Sequence, residues 1–191
     1  MVSLLDVIGA TVISAFVILI LINLNAQISI SAGETLLTTV VQQQATATIS
    51  DIEYHVYKAG HQTSGGVIVA DSTRLKFYSD YDNDGVSETL EYYLGAKSEL
   101  TDVKNPSAKP LHKKLNNSAD APIIGLVDTV MFSYIDSSGA ILSYSKLTAE
   151  SERNKIRSIK ISLSLLSAMP MEGVYPSVDW DRLISPRNLN L

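Results

Sequence analysis

Residues 7–24 read VIGATVISAFVILILINL, a run without one charged side chain. Beyond it the apolar positions thin out: Leu36, Leu37, Val40, Val41, Gln44, Thr48, Ile52, Val56 and Ala59 recur at steps of three and four, which is one face of an α-helix. Residues 23–33 (NLNAQISISAG) join the two stretches and are rich in β-branched residues, Asn and Ser, which are weak helix formers. The pattern predicts one long helix over about residues 3–59, weakest in its middle. Gly60 is the expected stop, and Gly65-Gly66 marks a loop.

From residue 67 the period shortens to two. Segments 67–70, 74–79, 89–94, 127–135, 141–145 and 156–166 are rich in β-branched or aromatic residues and bounded by turn formers, so each is expected to be a strand. Ile159, Ile161, Leu163 and Leu165 alternate with Ser158, Lys160, Ser162 and Ser164, one face dry and one wet. Asp136-Ser137-Ser138-Gly139 is the expected hairpin turn between segments 127–135 and 141–145. The tail, residues 174–189, carries Pro176 and Pro186 and shows no strand period; an extended segment anchored by Trp180 is expected. The fold class is α+β, with the second half of the helix packed on an antiparallel sheet. Three regions result: an apolar helix (1–24), an amphipathic helix (25–60) and a β-rich head (61–191).

Composition changes this picture only at the margins. A chain of 191 residues suffices for one core plus an appendage, and the 46% apolar content is inflated by the N-terminal run. Without cysteine there is no disulfide, thiolate metal site or thiol nucleophile. A net charge of −5 argues against a nucleic-acid surface built on phosphate neutralisation. The basic cluster Lys109, His112, Lys113 and Lys114 follows Pro106 and surrounds Pro110, which reads as a solvated loop. His55, His61 and His112 match no metal-ligand spacing, His55 reads as a boundary residue of the core, and no catalytic motif is present, so no enzymatic activity is expected.

The strongest chemical motif is residues 80–91, DYDNDGVSETLE, which fits the calcium-loop pattern D-x-[DN]-x-[DN]-G-x5-E. Calcium takes six to eight hard oxygens, and alternate acids around a glycine turn supply them from one short loop. Asp80, Asp82 and Asp84 would offer carboxylates, Val86 its carbonyl, Glu88 a direct or water-mediated contact and Glu91 a bidentate carboxylate. The flanks are strand-like, so the motif is no EF-hand. A plain Asp-Asn-Asp-Gly hairpin turn is the competing account, and a hairpin that persists through Glu91 aims that side chain away from the loop.

At the N-terminus the apolar run would rise about 27 Å as a helix, close to the roughly 30 Å hydrocarbon core of a bilayer. Asp6 stands at its edge, and no Lys or Arg precedes Lys58. A signal peptide or ordinary anchor usually carries such a residue beside the run; a chain whose basic leader has been removed fits instead. The order Val2-Ser3-Leu4-Leu5-Asp6-Val7-Ile8 resembles the mature N-terminus of type IV pilins and type II secretion pseudopilins, in which a hydrophobic residue, a Ser or Thr and two aliphatics precede an acid. Here the acid is Asp rather than Glu, and it falls at the family's fifth position only if Val2, not Met1, is the mature terminus.

The resemblance implies a ladle-like subunit, held in the bacterial inner membrane, then packed with identical copies into an extracellular helical filament by the assembly machinery. Asp6 would pair with the terminal amine of a neighbour, at Met1 or Val2. The resemblance equally implies a minor pilin or a pseudopilin of a secretion or DNA-uptake machine. A membrane-anchored binding module, using the acidic loop, would need no such pairing.

Overall fold

Ser3 caps the first turn of a long α-helix, α1 (Leu4–Tyr57). A computed structural model describes residues 3–60, 66–116, 118–170 and 173–190 of the chain, so Met1, Val2, His61 and Gly65 lie outside the described residues. By internal contacts the chain divides into two compact units, residues 1–39 and 40–191.

In the first unit, α1 is continuous through the weakly helical residues 23–33. Hydroxyls along α1 turn back on its own carbonyls: Thr11 Oγ1 donates to Ile8 O (2.8 Å), Ser14 Oγ to Ala10 O (2.7 Å), Ser29 Oγ to Asn25 O (2.9 Å) and Thr35 Oγ1 to Ser31 O (3.0 Å). Back-bonding of this kind satisfies the hydroxyl inside the helix without an outside partner. The large apolar side chains are exposed, from Leu4 and Leu5 through Phe16 and Leu19 to Ile30.

In the second unit, the remainder of α1 buries Val41, Ala45, Thr48, Ile52, His55 and Val56. Seven strands follow: β1 (Val67–Ala70), β2 (Arg74–Ser79), β3 (Glu88–Leu94), β4 (Lys109–Leu115), β5 (Ile123–Ile135), β6 (Ser158–Leu166) and β7 (Ser177–Ile184). They form one antiparallel sheet in sequence order, so every connection joins spatial neighbours. A short helix, α2 (Glu150–Arg153), lies between β5 and β6. Ala45, Ile52 and Val56 of α1 share a core with Leu75, Phe77, Leu90, Tyr92, Phe132 and Ile161 of the strands. Thr48 Oγ1 ties α1 to the sheet by donating to Ile124 O at 2.7 Å.

Gly60 ends the helical region as expected. Its φ is +78°, its N–H donates to Tyr78 O at 2.8 Å, and a side chain there would meet the Asn188 backbone at 3.3 Å. The alternation in β6 is also as read, with Ile159, Ile161, Leu163 and Leu165 all buried.

Three expectations need correction. The basic stretch is no solvated loop: residues 109–115 are β4, between β3 and β5. Two of its polar side chains find partners, Lys113 at Asp51 and His112 at Glu99, and Lys114 lies in register with Glu91. The segment 141–145 is not a strand but makes one bridge, Ile135 to Ile141. The free edge of β5 is covered by other groups there: Phe132 N–H donates to Ser72 O, Leu142 N–H to Tyr134 O, and the Tyr144 hydroxyl to Phe132 O. The tail does pair, as β7 on β6; Val178 and Trp180 oppose Leu165 and Leu163, while Asp181 takes Lys160 (3.0 Å). Charges of this sort on an edge strand oppose sheet-to-sheet aggregation.

Candidate functional site

Two places carry unusual chemistry, and each is built by local sequence. At the start of α1, Ser3 N–H donates to Asp6 Oδ2 (3.0 Å) while Asp6 N–H donates to Ser3 Oγ (3.3 Å). This is a reciprocal capping box, which satisfies two of the helix's orphan donors and sets a negative charge on the positive end of the helix dipole. The acid at the edge of the apolar run therefore has a local function. Met1 and Val2, the other residues read as assembly contacts, lie outside the described residues.

The second place is the β2–β3 loop, residues 80–87. Ser79 faces Glu88 across the closing hairpin pair, so the strands bring the two ends of the loop together. Asn83 (φ +64°) and Gly85 (φ +87°) both occupy the left-handed region, which Asn and Gly tolerate best. The turn aims backbone donors inward: Gly85 N–H donates to Asp80 Oδ2 (3.2 Å), Asp84 N–H to Asp82 Oδ1 (3.2 Å), Val86 N–H to Asp84 Oδ1 (2.7 Å) and Tyr81 N–H to Glu88 Oε2 (2.8 Å).

Asp80, Asp82 and Glu88 each bring a carboxylate oxygen to within 4.8 Å of the other two. Asp80 is fully buried, and its Oδ1 has no hydrogen-bond partner. Asp84 lies outside this trio, its Oδ1 engaged by Val86 N–H. Val86 itself is exposed, two residues before β3. Glu91 stands apart: it lies three residues into β3, buried, with its Oε1 bonded to Arg74 Nε and its Oε2 4.0 Å from Lys76 Nζ. The hairpin persists through Glu91, and cross-strand pairing with Lys76 fixes its side chain in the sheet.

The end of α1 supports the loop through residues that the motif did not include. Lys58 Nζ donates to Asn83 Oδ1 (2.8 Å) and to Tyr81 O (3.3 Å). The Tyr81 ring stacks on His55 at 4.7 Å between centroids, and Lys113 Nζ sits 5.1 Å from the Tyr81 ring centre. Beneath them Asp51 accepts from Lys113 Nζ (2.6 Å) and from the Tyr92 hydroxyl (3.0 Å), with His55 Nε2 3.5 Å away. Burial alone would push the Asp51 carboxyl up, but His55 and Lys113 together bring it from 3.8 down to about 2. Burial, reinforced by the Asp51 charge, pushes the Tyr92 hydroxyl well above its ordinary value and keeps it a donor. The helical spacing of Asp51, His55 and Lys58 was the sequence signal for this support, since steps of four and three place them along one face.

A further polar lock closes β4. His112 places Nδ1 2.7 Å from Ala121 O and Nε2 2.7 Å from Glu99 Oε2, while its ring stacks on Tyr93. This contact is structural, tying the β3–β4 connection to the strand it precedes.

Comparison with protein-family models, with curated proteins and with solved structures finds no match to this chain.

Proposed function

We propose that this chain is a structural subunit of a type IV pilus-like filament. Before assembly, residues 4–24 would hold it in the bacterial inner membrane; after assembly they would pack against the same segment of neighbouring copies, leaving the head at the cell surface. One observation carries the reading. The first part of α1 has a mean hydropathy of 2.6 over its most apolar 18 residues, and none of that window is buried.

An apolar surface on every side of a helix is unstable in water and needs lipid or other apolar helices around it. The polar groups of the segment suit such surroundings, because Thr11 and Ser14 spend their hydroxyls on the helix's own carbonyls. The test is cryo-electron microscopy of filaments sheared from the cell surface. The reading expects this chain to account for the fibre density, with its N-terminal helix in the fibre core and Asp6 beside a neighbour's terminus. Fibres free of this chain, with the protein confined to the membrane fraction, would overturn it.

The reciprocal Ser3–Asp6 cap favours a second reading, a single-pass anchor that presents the head without polymerising. In that reading the acid has already found its partners within the first turn and asks for none from another copy.

A further inference from the structure

We infer that Asp80, Asp82 and Glu88 hold a calcium ion. The inference concerns residues 40–191 alone and stands whether or not the chain polymerises.

A cluster of acids at a loop tip is commonplace, and most such clusters are simply solvated. The β2–β3 loop differs in one respect: Asp80 is 0% exposed, and only one of its two oxygens is served. Oδ2 accepts from Gly85 N–H, while Oδ1 is buried with no donor. A carboxylate oxygen withdrawn from water and left without a partner is strongly unfavourable, more so than a neutral acceptor would be. Something must face it. Of the ammoniums near this loop, Lys58 is bonded to neutral oxygens, those of Asn83 and the Tyr81 carbonyl, and Lys113, over the Tyr81 ring, is bonded to Asp51. Among the described residues, no ion pair reaches Asp80, Asp82, Asp84 or Glu88.

The geometry names the cation. Two oxygens bound to one calcium at 2.3–2.6 Å can stand at most about 4.6 to 5.2 Å apart. The three carboxylates offer oxygens within 4.8 Å of one another, a spacing from which a slight closing of the side chains lets one ion touch all three. All the donors are hard oxygens without a nitrogen or sulfur among them, which suits calcium and not the metals that favour imidazole or thiolate. Asp82 is exposed and Glu88 is partly buried, so water can complete the coordination sphere. Glu91, which closes the calcium-loop sequence pattern, takes no part because Arg74 and Lys76 hold it in the sheet.

Calorimetric titration and thermal unfolding of the full chain in detergent, first stripped with a chelator, test this. Calcium should bind one ion per chain and raise the melting temperature by several degrees. Asp82→Asn and Glu88→Gln should each weaken calcium binding at least tenfold. Asp136→Asn, which alters a partly buried acid in a different turn, should leave the affinity within about threefold. Asp80→Asn should abolish the calcium response while leaving the metal-free chain at least as stable as the parent, since it removes a buried charge. No heat and no shift with calcium would overturn the inference. So would an affinity that Asp82→Asn and Glu88→Gln leave intact, or a response reproduced in full by magnesium at equal concentration.

Discussion

The start of α1 and the β2–β3 loop fail to satisfy themselves in opposite ways. In the first turns of α1, from Leu4 to Ser14, the polar groups are settled locally: Asp6 by the Ser3 cap, Thr11 and Ser14 by helix carbonyls. What lacks cover there and just beyond is the hydrocarbon, with Phe16 63% and Ile20 63% exposed. In the loop the reverse holds, since Asp80 is fully covered and yet one of its oxygens is unserved. Each region therefore asks for a partner of a different kind. The helix needs an apolar surrounding, and the loop needs a positive charge. An acid is informative only when its chemistry is unmet, and by that standard Asp80 says more than the more conspicuous Asp6.

The largest effect should separate covered from uncovered aromatics. Phe77 is completely buried on β2, so Phe77→Ala should cost the head about 3 to 5 kcal/mol through lost transfer energy and an unfilled cavity. Phe16→Ala, on the exposed helix, should leave unfolding in detergent within about 0.5 kcal/mol of the parent. Urea unfolding followed by tyrosine fluorescence measures both. A large loss for Phe16→Ala would mean that the head depends on the apolar helix, and the contrast between the regions would fail.

Much of the difference between them was legible beforehand. The apolar run follows from composition and the Gly60 stop from glycine's tolerance of a positive φ, while the amphipathic stretch and the alternation of β6 follow from residue spacing, because each of those two buries one face of one element. The missed strands depend on neighbours. β4 reads as a loop because Lys109, His112, Lys113 and Lys114 look solvated, yet Lys113 belongs to Asp51 on α1, Lys114 lies opposite Glu91, and His112 belongs to Glu99. β7 reads as irregular because an edge strand buries so little; Val178 and Trp180 alternating with Asp179 and Asp181 were the available signal. In the acidic loop the motif named Asp80, Asp82 and Glu88, which the structure brings together, along with Asp84, Val86 and Glu91, which it does not add to that group. Spacing alone could not tell that the hairpin would carry Glu91 into the sheet, bring Glu88 beside Asp80 and Asp82, or leave Asp80 Oδ1 bare.

Asp51 supplies the counterexample to Asp80, a half-buried acid that is fully partnered. Asp51→Asn should cost about 2 kcal/mol, since it breaks charged hydrogen bonds and strands the well-buried Lys113 ammonium. The pH dependence has a definite sign. The folded carboxyl titrates at about 2, below its ordinary 3.8, so the folded chain binds fewer protons between those values. Its contribution is present above about pH 4 and is lost as pH falls through about 2. Acid titration of unfolding stability should show that decline in the parent and a shallower one in Asp51→Asn. Equal slopes would mean that the ammonium and imidazole do not hold the carboxylate as the distances imply.

The smallest energetic effect decides the most about function. Ser3→Ala and Asp6→Ala each remove one half of the same cap, and each should cost the first turn of α1 about 1 kcal/mol or less. If the acid serves only the cap, the two variants are equivalent: both insert in the membrane, and any assembly they support is impaired alike. If Asp6 also pairs with a neighbour's terminal amine, they part company. Ser3→Ala keeps the carboxylate and should still form fibres, whereas Asp6→Ala leaves the amine unpaired among apolar helices. Removing one partner of a buried ion pair costs about 3 to 5 kcal/mol. Repeated at every subunit added, that is enough to stop growth. Counting sheared fibres from the two strains, with membrane-fraction levels of each variant as the control, therefore distinguishes a capping acid from an assembling one, because only the second makes the position of the charge matter beyond its own helix.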